Sequence, residues 1–124
     1  MSASPSRYVL DASIAIKWLF DDEDFTAESR DVLLAFQEGQ IDLIAPNHLY
    51  HEVLNALRTE VRMQRLRADD AEEAMHDFLD LAVPTVDGPS LFVASFTYAL
   101  SYDCAFHDSL YLTLADQAGC PLIH

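Results

Sequence analysis

The chain has 124 residues, 51% of them hydrophobic, which is enough for one compact core and too few for a second domain of ordinary size. Seven Lys and Arg against 21 Asp and Glu give a formal charge of −14, which excludes a strongly basic, stand-alone nucleic-acid binder, because phosphate neutralisation by cationic side chains supplies most non-specific affinity. Cys104 and Cys120 lack CxxC or zinc spacing and read as buried free thiols of a reducing compartment; no apolar run is long enough to span a bilayer, so a cytoplasmic protein without membrane association is expected.

Tyr8-Val9-Leu10 predicts a buried strand running directly into Asp11, and Ser13 opens a helix to Phe20 with Ile14, Trp18 and Leu19 on one face. Asp11 has two readings. One is an ordinary helix N-cap; the other is a carboxylate at the end of a parallel strand, where open α/β sheets bind ligands. The acidic run Asp21-Asp22-Glu23-Asp24 reads as a solvated loop before a second helix, Thr26 to Glu38, with Val32, Leu33 and Phe36 inward and Gly39 as its stop.

Ile41 to Ala45 is a second strand ended by Pro46, and Asn47 is the expected cap of a third helix. That helix carries Leu49, Val53 and Leu57 on one stripe and Tyr50, Leu54 and Val61 beside it. Glu52, in its early turns, suits either the helix dipole or a ligand role. Arg58, Arg62 and Arg65 at i, i+4 and i+7 are expected on one flank with Arg67 just beyond, forming either a solvated face or a small patch for phosphates.

Ala68-Asp69-Asp70 starts a fourth helix with Ala71, Met75, Phe78 and Leu79 on its core side. Val83 to Val86 is a short third strand that Pro84 confines to a position where a missing N–H is harmless. Gly88-Pro89-Ser90 opens a fifth helix through Leu100. Phe106-His107-Asp108-Ser109 leads a sixth, with Leu110, Tyr111, Leu114 and Ala118 inward and Gly119 closing it, and Pro121 begins a fourth strand. This alternation predicts an α/β fold in which a short parallel sheet of about four strands is flanked by helices on both faces. All strand C-terminal ends then share one edge, where Asp11, Glu52 and Asp108 are expected to converge with Ser13 beside Asp11.

Carboxylates gathered without a counter-charge repel one another unless protonated, paired or filled by a cation. All-oxygen ligation suits Mg²⁺ or Mn²⁺, and the reaction such a site supports is metal-assisted hydrolysis of a phosphodiester. The Ser13 hydroxyl is placed to hold a water or a phosphate oxygen. The cluster His48, His51 and Glu52, with His107 next to Asp108, admits a zinc hydrolase as a rival, although its spacing is not HExxH.

The strings YVLDASIAIKWL, LIAPNHLYHEVLNAL and CAFHDSLYLTLADQAGCPLI, in this order over nearly the whole chain, resemble the PIN-domain ribonucleases, and most of all the VapC toxins of bacterial toxin–antitoxin pairs. The resemblance implies a single PIN-like three-layer domain over residues 1–124, with Asp11, Glu52 and Asp108 as acidic metal ligands and Ser13 as the hydroxyl after the first acid. It further implies RNA cleavage dependent on Mg²⁺ or Mn²⁺, a homodimer, and inhibition by a cognate antitoxin that inserts a C-terminal segment near the active site. Two departures stand out. The family's usual Thr/Ser-x-Asp pattern, which supplies a fourth acid, falls past His124, so the domain is expected to lack the usual C-terminal end; and the usual Tyr before the third acid is His107. The first departure opens an alternative, a catalytically incomplete PIN-like binding protein.

Overall fold

The computed structural model describes residues 5–20, 27–87 and 89–124; the acidic run at 21–24, Thr26 and Gly88 lie outside them. Its elements are β1 (Ser6–Leu10), α1 (Ala12–Leu19), α2 (Ala27–Gln37), β2 (Ile41–Pro46), α3 (His48–Arg62), α4 (Ala68–Asp80), β3 (Thr85–Val86), α5 (Pro89–Tyr102), α6 (Phe106–Ala118) and β4 (Leu122–Ile123). The strands form one parallel sheet in the order β3-β2-β1-β4.

Consecutive side chains of a strand face opposite sides of the sheet, and Val9 and Leu10 are both wholly buried, so both faces of β1 are covered. The covering layers supply Ala12, Ile14 and Ala15 from α1, Leu49 and Val53 from α3, and Leu110, Tyr111 and Leu114 from α6, joined by Leu43 and Ala45 of β2 in one continuous core. Polar ties fix the helices to their neighbours. The Trp18 indole donates to the Ser29 carbonyl at 2.8 Å, linking α1 to α2, and the Tyr50 hydroxyl donates to the Val83 carbonyl at 2.8 Å, linking α3 to the segment before β3. α6 stops where expected: Gly119 adopts φ 65°, and the N–H groups of Gly119 and Cys120 bond back to Asp116 and Ala115.

Several expectations are corrected. The third strand is only Thr85–Val86, at the sheet edge, where the Pro84 carbonyl still accepts from the Ala45 N–H. Asn47 does not cap α3 with its side chain: its N–H is held by the Val86 carbonyl at 3.0 Å and its backbone is already helical, at φ −64°, which removes the extended geometry a cap requires. On α4 only Phe78 is fully buried, edge-on to Tyr50 at 5.4 Å, while Leu79, one step round the helix, is exposed. Arg65 does not continue the α3 flank. The helix ends at Arg62, Gln64 takes a left-handed φ of 58°, and Arg65 turns back to grip Glu60 through two bonds of 2.9 and 2.6 Å. Cys104 and Cys120 are free but half-buried rather than buried.

From β1 the chain proceeds outward to β2 and β3, then returns to the other side of β1 for β4. The order therefore reverses between β1 and β4, which makes the C-terminal end of β1 the topological switch point of the sheet. Asp11 is the residue that stands there.

Candidate active site

Asp11 follows the last residue of β1 and occupies the N-cap position of α1 with extended backbone (φ −81°, ψ 148°). Its carbonyl accepts from Ile14 and Ala15, as an N-cap carbonyl should, but its side chain makes no cap hydrogen bond. The carboxylate instead accepts from the Ser13 hydroxyl at 3.0 Å. The backbone thus starts the helix while the charge stays available, which resolves the two readings of this residue against a side-chain cap.

Glu52 is the fifth residue of α3 and lies past its first turn, where the dipole contribution fades. It is anchored by side chains. The Tyr111 hydroxyl donates to Oε1 at 3.0 Å, and Nε2 of His48, one turn back, lies 2.8 Å from the same oxygen. The His48 approach is close but off the N–H line, since neither ring nitrogen has an aligned hydrogen-bond partner. Partial burial pushes the Glu52 carboxyl up; the close approach of the His48 imidazole, the hydrogen bond from Tyr111 and the neighbouring His107 outweigh it and hold the group below its ordinary value. Glu52 is therefore a carboxylate at neutral pH.

Tyr111, on α6, is the hydrogen-bond partner of Glu52. It is 3% exposed, and its hydroxyl pKa is driven upward by burial first, then by the charge of Glu52, the bond to Glu52 and the charge of Asp11, with the Ala12 backbone pulling slightly the other way. The sequence placed Tyr111 in the core and His48 among rival zinc ligands; their spacing, His48 to Glu52 at i+4 and Asp108 to Tyr111 at i+3, was the available signal that they share a helix face with an acid.

Asp108 lies in the first turn of α6, which begins at the same sheet edge because α6 leads back into parallel β4. Its side chain is largely exposed, and the imidazole of His107 sits 3.5 Å from it. The structure thus joins Ser13 to Asp11, and His48 and Tyr111 to Glu52, by direct contact, with Asp11 at the end of β1 and Asp108 in the first turn of α6. Among the described residues no three His, Cys, Asp or Glu side chains are arranged to hold a metal ion by themselves, so neither the zinc cluster of His48, His51 and Glu52 nor the expected convergence of Asp11, Glu52 and Asp108 forms a ready three-donor group.

A hard divalent cation nevertheless fits in kind. Asp11 is not consumed by capping, Glu52 is ionised, and both bonds to Glu52 fall on Oε1. Mg²⁺ keeps several waters and needs only one or two protein carboxylates, so Asp11 and Glu52 suffice in number. An apolar cleft of about 430 Å³, lined by Trp18, Leu19, Leu33, Phe78 and Leu81, lies toward the opposite end of α1 and has Asp77 and Asp80 as its charged groups among the described residues; it does not belong to this chemistry.

No helix among the described residues is long and apolar enough to cross a membrane. The PIN domain family model matches residues 8–124, which takes in all four strands except the first two residues of β1, as well as every candidate acid. No curated protein matches the chain.

Proposed function

This chain belongs to the PIN domain family, whose fold is generally a nuclease fold with divalent-metal dependence, and from that premise we propose that it is an endoribonuclease dependent on Mg²⁺ or Mn²⁺ that hydrolyses RNA phosphodiester bonds. The observation that supports this most is that Asp11, at the sheet's switch point, is not used as a side-chain cap, while Glu52 is held as a carboxylate by the buried Tyr111 hydroxyl. The proposed ligands are Asp11 and Glu52, with Asp108 joining from the rim. When bound, the cation supplies an activated water and neutralises charge on the phosphate. The chain's own part is positional. Ser13 holds the Asp11 carboxylate, His48 and Tyr111 hold Glu52, and Arg58 and Arg62, exposed on α3 with no ion pair among the described residues, contribute cations for the flanking phosphates.

The toxin role and the cognate antitoxin rest on the resemblance of the three motifs to the VapC toxins. The homodimer has support in surface chemistry. α5 contains no charged residue and exposes Val93, Phe96 and Leu100 on one side, in a chain of net charge −14. Like charge opposes self-association through most of the surface, and α5 is the helix on which a second copy meets apolar side chains without that penalty. We assign the cytoplasm as its place of action and one PIN-like domain as its organisation.

That no three-donor cluster stands ready among the described residues favours a second reading, a PIN-like binding protein without activity. Incubation of the chain with a generic single-stranded RNA and Mn²⁺, with and without EDTA, separates them. Metal-dependent cleavage abolished by EDTA and by Asp11→Asn is expected; intact RNA at saturating Mn²⁺ would favour the binding protein.

A further inference from the structure

Glu52 is gripped at one oxygen. The Tyr111 hydroxyl at 3.0 Å and Nε2 of His48 at 2.8 Å both meet Oε1, and the two rings pack with centroids 4.8 Å apart. Tyr111 comes from α6, 59 residues along the chain from Glu52 on α3. Its ring is buried in the same core as Ala12, the residue after Asp11, and the charge of Asp11 adds to that of Glu52 in pushing the phenol pKa up. Two segments distant in sequence, α3 and α6, therefore meet at a single hydroxyl. A phenylalanine fills the same space without the cost of a buried hydroxyl, so the oxygen has to be accounted for by what it bonds.

His48 contributes contact and ring packing, but neither of its buried nitrogens has an aligned partner. The directional bond to Glu52 belongs to Tyr111. We propose that Tyr111 is the positioning residue of this site, its hydroxyl fixing Glu52 of α3 against α6 and so setting that carboxylate to share one divalent cation with Asp11, with Oε2 of Glu52 left to face it. The inference rests on the nuclease reading given above. It assigns a function to a residue that otherwise reads as core, and it makes metal affinity depend on a side chain that is not itself a ligand.

The experiment compares the full chain with Tyr111→Phe and Tyr50→Phe by calorimetric titration of Mn²⁺, together with kcat and KM for cleavage of one RNA. Tyr50→Phe is the control: it removes another hydroxyl bonded within the fold, at the Val83 carbonyl, without touching either acid. Loss of an outer hydrogen bond to a metal-binding carboxylate predicts Mn²⁺ affinity about 10-fold to 100-fold weaker in Tyr111→Phe, with kcat reduced and KM for RNA little changed. Tyr50→Phe should bind Mn²⁺ like the unmodified chain, and in a Glu52→Gln background Tyr111→Phe should cause no further loss. Unchanged Mn²⁺ affinity in Tyr111→Phe, or an equal loss in Tyr50→Phe, overturns the inference and leaves the nuclease reading intact. An unmodified chain that binds no Mn²⁺ overturns both.

Discussion

Replacing Asp11 by asparagine separates charge from shape at the residue on which the site depends. A side-chain cap would make Asp11 worth roughly 1 kcal/mol to α1, but asparagine caps as well as aspartate and no such bond is present here. What the variant does lose is carboxylate charge beside a helix N-terminus, about 0.3–1 kcal/mol, partly returned by relief of repulsion from Glu52. Unfolding entropy of about 2.1 cal/mol/K per residue, taken over 124 residues, makes 1 kcal/mol equivalent to about 4 °C, so without metal the Tm should move by less than that. Metal reverses the comparison. At Mn²⁺ a hundredfold above its Kd the unmodified chain gains about 2.7 kcal/mol, or roughly 10 °C, and Asp11→Asn should gain almost none of it. The assay is a pair of melting curves with Mn²⁺ and with EDTA, run beside an RNA cleavage gel. A variant that keeps both the Mn²⁺-induced rise and full cleavage refutes the assignment of Asp11 to the metal.

Three further outcomes follow from other parts of the molecule. Arg58 and Arg62 are unpaired among the described residues whereas Arg65 is spent on Glu60, so Arg58→Ala with Arg62→Ala should weaken RNA binding and flatten the log–log salt slope by about 1.4, and Arg65→Ala should leave the slope alone. Because the folded Glu52 carboxyl lies below its ordinary value of 4.5, its contribution to stability is complete above that pH and is lost as pH falls through the lower folded value; urea titrations at descending pH should show a smaller acid loss for Glu52→Gln. Phe96→Lys with Leu100→Lys on α5 should convert a dimer into a monomer in sedimentation equilibrium without loss of fold, since both side chains are more than half exposed.

The elements were largely legible because the apolar spacing changes sharply between strands and helices, and because Gly39 and Gly119 end α2 and α6 by the left-handed geometry that glycine favours. What was not legible depended on partners distant in the chain. Asn47 looks like a cap in isolation, and only pairing with β3 holds it in helical geometry. Arg65 keeps helical spacing on paper, and only the turn at Gln64 sends it back to Glu60. The place of Asp11 at the end of β1 could be read from strand-to-helix alternation, whereas Tyr111 cannot be told from a core aromatic without the fold that brings Glu52, 59 residues away, to its hydroxyl.

The claim that Asp11 and Glu52 share one cation is tested most directly by diffraction from crystals soaked in Mn²⁺, with data collected at the manganese absorption edge. The account predicts one anomalous peak within ligand distance of both carboxylates, beside the Tyr111 hydroxyl and absent from Asp11→Asn crystals. A saturating soak with no peak there, or a peak held by His48 and His51 instead, would contradict it.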